Sequence, residues 1–387
     1  MKSKVLYIAK NIPTPTKWSN PIIFELAQNL TSNFLIHFLF PKELVPIWMK
    51  KNEKFQYLKG IKPWVYNNFQ INIYSYIKLP FKGFEYWLLL GINSKKLQRL
   101  FEQNSYDLVH AHYLYPDGAI AYYIWKKFGI PYIITFRNQD RQYIESISSF
   151  NLDFIKAKKI LSNSKAVIVP NKGYQSFIQS KFSCSSELIP NGLDKKYYLS
   201  PEYEINSNNE VIILTVTSKA IKTKNVDWVV EAVANYTGIK KISLHVIGIG
   251  EIIDRLKESY SKHRNIHFLG QMTKTDVINQ MRISHIFALP SERETFGMVY
   301  LEAAANKNAI IGYKEEGIWG VLNDKKEAIF CDGKTTFLKQ LSRLIDDTKL
   351  QESLSKHAYQ KSLTLEWSAI SKKYLQVYRL NDVKRNV

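Results

Sequence analysis

Short apolar runs separated by amphipathic stretches recur along this chain, and the alternation is the same in both halves. Runs such as VLYIA, FLIHFLF, DLVHAH and YIITF in the first half, and VIILTVT, ISLHVIG and HIFALP in the second, are apolar almost throughout. Strands of this kind with helices between them are typical of parallel sheets that helices cover on both faces. The pattern therefore predicts an α/β protein with two doubly wound, Rossmann-like parallel sheets.

The length of 387 residues fits two domains of ordinary size. We predict a first domain over residues 1–200 and a second over 201–367, with the polar stretch SPEYEINSNNE as the boundary. A C-terminal helix over residues 368–387 is expected to pack back onto the first domain. Because doubly wound sheets bind ligands at the carboxyl ends of their strands, we expect the site in a cleft between two facing domains.

One segment, LPSERETFGMVYLE at residues 289–302, carries two carboxylates on either side of a glycine turn. We predict that a helix begins near Met298, so Glu294 lies in the preceding loop and Glu302 in the second turn. The unpaired amides of a helix entrance attract anions, and Gly297 leaves space for one to approach. This arrangement suits a sugar nucleotide. The alternative is an ordinary strand-loop-helix junction, with Glu294 as a cap and Glu302 on a solvated face.

The formal net charge of +20 raises the question of a polyanionic partner. Zinc-finger spacing, RNP-like aromatic motifs and Arg-rich stripes do not occur, so we expect no nucleic-acid partner. Basic residues interleaved with aromatic residues concentrate between residues 41 and 99, a composition that favours an anionic membrane surface. The alternative for this region is an aromatic core with a coat of lysines.

Two cysteines, Cys184 and Cys331, are too few for a disulfide framework or a zinc site, so a reducing compartment is expected. The apolar run VLYIA is too short for a signal peptide, and no run of 18 apolar residues occurs. We therefore expect a cytoplasmic protein that acts in part at the inner face of the cell membrane.

Several short motifs, in a fixed order along the chain, together resemble those of one enzyme family. From the N-terminal side they are IPNGLD at 189–194, KTKNVDWVVEAV with Lys224, VIGIGE, FLGQM and a Glu-x7-Glu pattern with an internal Phe-Gly (Glu294, Phe296, Gly297, Glu302). In this order they resemble glycosyltransferase family 4, the retaining enzymes of the GT-B fold. The resemblance covers nearly the whole chain and is densest in the second half. It implies an acceptor-binding first domain and a donor-binding second domain.

The resemblance also implies roles at the sugar end of a nucleotide-sugar donor. Glu294 would contact the sugar and stabilise positive charge that develops at the anomeric carbon. Glu302 would hold the ribose hydroxyls. Main-chain amides near Phe296, Gly297 and Met298 would bind the sugar and the distal phosphate.

At the phosphate end, the resemblance assigns Lys224, with Lys219 as second cation, to the diphosphate leaving group. The lysine-rich loop also contains Lys222, for which a solvated position is the expectation. No Asp-x-Asp motif occurs, so positive charge has to come from lysine and a helix end. We therefore expect neither a metal ion nor another cofactor.

The first half departs from the family pattern near the expected reaction centre. The usual Thr-x-His-Gly-x-Asp is replaced by TFRNQD, which places Arg137 where the family has histidine. An arginine cannot act as a base at neutral pH, so it would orient or neutralise a group. In HAHYLYPDG, His110 and His112 alternate at the end of a strand and should face opposite ways. His112 is then the candidate for the site.

Taken together, the residues and the resemblance predict a retaining, metal-independent glycosyltransferase. Its acceptor would be a hydroxyl of a glycan, with a lipid-linked precursor of a cell-envelope oligosaccharide or polysaccharide preferred. A sugar-nucleotide epimerase or a phosphorylase of the same architecture is an alternative. A catalytically degenerate sugar-nucleotide binder is another, motivated by Arg137 and by PTPTKWSNPII, which has no glycine where the family commonly carries a Gly-rich turn after the first strand.

Overall fold

The computed structural model describes residues 2–17, 19, 21–44, 58, 60–77, 94–200 and 210–379. Within these residues the strands β1 to β14 are Ser3–Ile8, Phe34–Leu44, Trp64–Tyr66, Phe69–Ile77, Leu108–Ala111, Tyr132–Thr135, Ala166–Val169, Glu187–Leu188, Glu210–Val216, Lys241–Ile247, Ile266–Gly270, Ile286–Ala288, Ala309–Tyr313 and Ile329–Cys331. The α-helices α1 to α13 are Ile22–Leu30, Ser94–Gln103, Ala119–Phe128, Asn138–Glu145, Leu152–Ser162, Lys172–Phe182, Val226–Ala234, Glu251–Ser259, Lys274–Ile283, Met298–Ala305, Lys334–Asp346, Thr348–Leu363 and Trp367–Arg379.

The chain divides into two compact units. Unit 1 consists of Met1–Pro170, Tyr174–Ile189 and Ser371–Val387, and unit 2 of Asn171–Gly173 and Pro190–Ile370. The chain thus passes into unit 2 at Pro190, ahead of the polar stretch expected as the boundary, most of which lies outside the described residues. The end of α13 belongs to unit 1, where the hydroxyls of Tyr378 and Tyr7 are 2.8 Å apart.

Unit 1 contains an eight-stranded sheet in the order β3-β4-β2-β1-β5-β6-β7-β8. All neighbours are parallel except β3 and β4, which form an antiparallel hairpin at one edge. The hairpin turn is Asn67-Asn68, and both residues have positive φ angles, of 47° and 67°. Asparagine tolerates this conformation, and such turns match the twist of a two-stranded ribbon.

Unit 2 contains a wholly parallel six-stranded sheet in the order β11-β10-β9-β12-β13-β14. Its central strands are buried along almost their whole length, because α7, α8 and α11 and their neighbours cover the faces. Burial on both faces explains why these strands are apolar throughout rather than alternating. Two doubly wound parallel-sheet units, the architecture that the apolar pattern predicts, are confirmed.

Candidate functional site

The sheet of unit 2 has one point at which the chain reverses its direction of winding. From β9 the chain proceeds outward to β10 and β11, and from β12 it proceeds to β13 and β14 on the other side. The loops that follow β9 and β12 therefore leave the same edge of the sheet side by side. Ligands of open parallel sheets bind at this position.

Lys224 and Glu294 meet at this point. Their ammonium and carboxylate form an ion pair, and their side chains are 21% and 19% exposed. Lys224 ends a short 3-10 turn, after which Asn225 has a φ of 49° and donates from its side-chain amide to the Pro290 carbonyl at 2.9 Å. The Glu292 amide also donates to the Thr223 carbonyl at 2.8 Å, so hydrogen bonds join the two loops beside the ion pair.

The carboxylate of Glu294 lies in a fixed position at the start of α10. Gly297 has a φ of 68°, and a β-carbon there would come within 2.5 Å of the Tyr300 ring and 3.0 Å of Glu294 Cγ. A residue with a side chain at this position is therefore excluded on both conformational and steric grounds. The Glu294 amide donates to Glu316 at 2.9 Å and its carbonyl accepts from Gly317 at 3.0 Å.

Glu302 lies in the second turn of α10, and its side chain is 2% exposed. Its carboxylate forms an ion pair with Lys274, the first residue of α9, whose ammonium is also 5.2 Å from the ring of Tyr197. The helix begins at Met298 as predicted. The alternative of a solvated face for Glu302 is wrong, because the helix packs into unit 2 on that side and only Lys274 remains partly exposed.

The predicted phosphate-binding residues are less tightly gathered. Lys219 and Lys222 are exposed, and Lys219 lies beside the turn that follows β10. Gly248 in that turn has a φ of 146°, and a β-carbon there would be 2.4 Å from the Thr217 carbonyl. Phe296 is buried at 1% exposure, so only its main chain is available to a ligand, and Met298 is partly exposed at the helix entrance.

Unit 1 has an equivalent reversal point between β1 and β5. The Lys10 amide donates to Asp117 at 3.3 Å, and the Arg137 Nε donates to the His112 carbonyl at 3.2 Å. Asp140 accepts from the amides of Arg137 at 2.9 Å and Leu114 at 3.0 Å. His112 and Arg137 are thus brought together in unit 1, whereas Glu294 and the other predicted donor residues lie in unit 2.

The expectation that His110 and His112 face opposite ways is wrong. Their ring centroids are 4.0 Å apart at an interplanar angle of 32°. The strand β5 ends at Ala111, so the alternation of an extended chain no longer applies to His112. His110 bonds to Tyr378 at 2.6 Å and Thr135 at 2.8 Å, whereas both ring nitrogens of His112 lack a partner among the described residues.

Burial shifts the pKa values of the histidine and aspartate side chains at this reversal point. It lowers the pKa of His110 to about 3, and the Arg137 guanidinium adds to the effect. It lowers the pKa of His112 well below its usual range, with His110 and Arg137 as further causes. Burial raises the pKa of Asp140 to about 6 and that of Asp117 well above its usual range, although Lys10 opposes both shifts. Both rings are therefore neutral at neutral pH.

Several residues of the site were not predicted from the sequence. Asn171, which lies two residues after the end of β7 but belongs to unit 2, donates from its side-chain amide to the carbonyls of Thr295 and Gly317, both at 2.7 Å. A polar residue at the end of a strand is a signal that could have identified it. Lys274 and Glu316 carry no comparable signal, because exposed-looking charges at helix starts and in turns are common.

About half of the basic aromatic region at 41–99 lies outside the described residues, so membrane contact through it stays a prediction. Across the parts of the chain that the structure describes, none of the helices has the length and apolar character needed to cross a bilayer.

Two family models match this chain, one in each half. The model described as "Glycosyltransferase Family 4" matches residues 51–197, and the model described as "Glycosyl transferases group 1" matches residues 202–361.

Individual proteins give the same result. The chain is 22% identical to an uncharacterised glycosyltransferase of Methanocaldococcus jannaschii over 308 residues, which are 78% of this chain and 82% of that protein. It is 25% identical to the alpha-monoglucosyldiacylglycerol synthase of Acholeplasma laidlawii over 302 residues, 72% of this chain and 75% of that protein. The solved structure of a sucrose-phosphate synthase from Thermosynechococcus elongatus superposes with a TM-score of 0.73 at 15% identity and covers 98% of each chain. The chain therefore belongs to the group 1 and family 4 glycosyltransferases, with two α/β units of the GT-B type.

Proposed function

We propose that this protein transfers a sugar from a nucleoside diphosphate sugar to a hydroxyl of a glycan, with retention at the anomeric carbon and without a metal ion. The observation that carries this proposal is the Lys224–Glu294 ion pair at the winding reversal of unit 2. It places a cation and a carboxylate beside a helix entrance. The cation can neutralise the diphosphate of a donor, and the carboxylate can stabilise positive charge that develops on its sugar.

Glu302 supports the ribose end of this donor site. A carboxylate that is 2% exposed is strongly favoured to keep a partner, and Lys274 supplies one in this structure. Two ribose hydroxyls can donate to the same carboxylate oxygens. Since Lys274 remains 42% exposed, its ammonium is free to turn towards the diphosphate when a nucleoside occupies the site.

Glu294 supports the sugar end. Its main chain is held by Glu316 and Gly317, and its carboxylate is paired with Lys224. A donor diphosphate would compete for Lys224 and leave the Glu294 carboxylate to face the anomeric carbon. Positive charge that develops there as the diphosphate departs is then stabilised by a preorganised anion.

The part of unit 1 that we assign to the acceptor hydroxyl contains histidine rings that are uncharged. Because burial and Arg137 lower the pKa of His112 well below its usual range, its ring is a weak proton acceptor. We infer that the departing diphosphate, rather than His112, takes the proton of the acceptor hydroxyl, and that Arg137, held by the carbonyl of the buried His112, orients the acceptor. This assignment agrees with transfer on one face of the sugar.

A lipid-linked glycan is the acceptor class that we favour, at the inner face of the cell membrane. Support comes from the basic aromatic composition of residues 41–99 and from the similarity to a protein named for diacylglycerol glucosylation. Lysines and aromatic side chains at a membrane surface would keep the enzyme near such an acceptor.

The test combines donor binding with product analysis. A thermal-shift screen with uridine, guanosine and adenosine diphosphate sugars should reveal one nucleotide series that raises Tm, because a bound donor stabilises the folded state. Mass spectrometry with membrane lipid extracts, with and without EDTA, should then show a glycosylated lipid whose anomeric configuration by NMR is that of the donor. Turnover of donor without acceptor would indicate an epimerase, and donor binding without any turnover would indicate a degenerate binder.

A further inference from the structure

The surface of unit 1 around the start of α5 exposes apolar side chains that have no role in the site described above. Phe150 is 89% exposed, and Leu152 and Ile155 are each 44% exposed. An aromatic ring with this exposure is unusual in a folded protein, and here it has two apolar neighbours rather than standing alone.

Helix α5 carries two separate stripes. Its buried residues Asp153, Ala157, Ile160 and Leu161 recur at helical spacing and face the core. Leu152, Ile155, Lys156 and Lys159 recur at the spacing i, i+3, i+4, i+7 and form a second stripe on the other side of the helix. This second stripe is apolar in its first turn and basic in its second.

The sequence around Phe150 would allow a purely local explanation, which the structure rejects. Asn151 caps the helix by accepting from the Asp153 amide at 2.8 Å, so Phe150 and Ile155 occupy the positions of a hydrophobic staple. A staple would bury the Phe150 ring against Ile155, but the ring is 89% exposed. The Phe150 amide donates to the Ser148 hydroxyl at 3.3 Å, so the turn that presents the ring has a defined conformation.

A second helix adds positive charge to the same surface. The Lys156 ammonium is 5.1 Å from the Tyr122 ring of α3, and the Lys126 ammonium is 5.9 Å from that ring. Burial lowers the pKa of Lys156, and the neighbouring charges of Lys126 and Lys159 contribute to the shift. These three cations therefore lie close enough to repel one another.

Two acidic residues near this surface have defined partners. Asp153 is buried and accepts from the Tyr143 hydroxyl, and Glu145 pairs with Arg141 at 2.9 Å. Among the described residues no carboxylate forms an ion pair with Lys126 or Lys159. The surface thus combines exposed apolar side chains with three lysines, of which Lys126 and Lys159 form no ion pair within the described part of the chain.

We propose that Phe150, Leu152, Ile155, Lys156 and Lys159, together with Lys126, form a lipid-docking face that binds an anionic phospholipid surface. The apolar side chains enter the boundary between headgroups and acyl chains, and the ammonium groups bind the phosphates above them. This face is distinct from residues 41–99 and does not depend on the identity of the sugar acceptor. An acidic protein would match the lysines but not the exposed ring, which favours a bilayer as the partner.

The test is cosedimentation of the full chain with vesicles of phosphatidylcholine alone and of phosphatidylcholine with phosphatidylglycerol. We expect binding to the anionic vesicles, and a loss of about tenfold or more in affinity for the double variant Phe150→Ser/Ile155→Ser, since two large apolar side chains leave the bilayer. Lys156→Gln/Lys159→Gln should retain weak binding but lose most of its preference for phosphatidylglycerol.

Two exposed apolar residues elsewhere provide matched controls. Leu35 in unit 1 is 44% exposed and Ile239 in unit 2 is fully exposed, so Leu35→Ser and Ile239→Ser remove comparable surfaces outside both the lipid-docking face and residues 41–99. Both should bind vesicles like the unaltered protein.

Unchanged vesicle binding by Phe150→Ser/Ile155→Ser would overturn the proposal. So would a change in oligomeric state with that variant, measured by light scattering, while vesicle binding persists, because the face would then contact protein. Donor-induced thermal shifts are measured on the same variants. Retained shifts with lost vesicle binding support the lipid-docking face, whereas absent shifts in every protein would count against the proposed function alone.

Discussion

The chain reverses its direction of winding in both sheets, but the ionisable residues at the two reversal points differ in their exposure and charge. In unit 2, Glu294 and Glu302 each meet a lysine, and Lys224 and Lys274 remain 21% and 42% exposed. In unit 1, Asp117, Asp140, His110 and His112 are buried, and burial shifts the pKa of each towards its neutral form.

This difference indicates that the charged residues of unit 2 can exchange partners with a ligand, whereas those of unit 1 hold loops in position. An ion pair with a partly exposed lysine can change partners when a charged ligand enters, because solvent and ligand reach the ammonium group. A buried network that caps amides, as Asp140 does for Arg137 and Leu114, holds loops in position and resists change. We therefore expect ligand chemistry in unit 2 to respond to charge removal, and unit 1 to respond mainly in stability.

The largest effect is expected for Glu294→Gln. Glutamine keeps the shape of the side chain but removes the anion that faces the developing positive charge. We expect kcat to fall by about a hundredfold to a thousandfold, with donor Kd changed far less. Steady-state kinetics and calorimetry with the donor identified in the thermal-shift screen measure the two quantities.

A matched control for this variant lies in the same unit. Glu231 pairs with Lys334 at 2.7 Å on the surface of unit 2, so Glu231→Gln removes an equivalent carboxylate outside the site and should leave kcat unchanged. If Glu294→Gln were as active as Glu231→Gln, the assignment of chemistry to unit 2 would be lost.

In unit 1 the expected signature is a pH dependence of stability. The pKa of Asp140 is raised from 3.8 to about 6 in the folded protein, so the folded state binds more protons between these values. Its contribution to stability is full below pH 3.8 and is lost as the pH rises through about 6. The free energy of unfolding relative to Asp140→Asn should therefore decrease by about 3 kcal/mol between acidic and neutral pH.

His110 should show the opposite slope and serves as the control. Its pKa is lowered from 6.5 to about 3, so its contribution is full above pH 6.5 and is lost as the pH falls towards 3. Chemical denaturation of Asp140→Asn and His110→Gln across this range should show slope changes of opposite sign. Parallel curves for both variants and the unaltered protein would mean that these groups titrate normally.

Much of the fold was predictable because burial on both faces leaves a clear apolar pattern. The strands of unit 2 and the start of α10 at Met298 follow from it directly. The hairpin of β3 and β4 was not predicted, because its aromatic residues were interpreted as part of a basic aromatic surface region. The Asn67-Asn68 turn between two runs of β-forming residues was the missed signal.

The sequence was enough to identify individual residues of the site, but not the ion pairs that they form. The sequence indicates Lys224, Glu294 and Glu302, yet it could not show that Lys274 neutralises Glu302, because that contact joins α9 to α10 through tertiary packing. The wrong prediction for His110 and His112 has a similar cause. Periodicity applies within a strand, and the position at which β5 ends depends on neighbours far away in the chain.

A smaller effect is expected for Glu302→Ala. Loss of charge-assisted hydrogen bonds to the ribose should raise donor Kd by about tenfold to a hundredfold, while kcat at saturating donor changes little. Calorimetry on the folded variant measures the affinity. Lys274→Gln is the companion variant: it leaves Glu302 buried without its counter-ion, so donor should raise the Tm of this variant more than that of the unaltered protein. Equal donor affinity for Glu302→Ala and the unaltered protein would remove Glu302 from the donor site.

The smallest effects distinguish the lysines that flank the ion pair. Lys219 lies beside the turn after β10, whereas Lys222 is exposed and two residues before Lys224. A second cation at the diphosphate should contribute modestly, because exposed charges are screened by solvent and salt. We expect Lys219→Gln to raise donor KM by about threefold to fivefold at low salt, and Lys222→Gln by less than about twofold. The difference between the two variants should shrink as salt is added. If Lys222→Gln had the larger effect, the diphosphate would lie along the 3-10 turn rather than against the turn after β10, and the exchange of partners proposed for Lys224 would have to begin from that side.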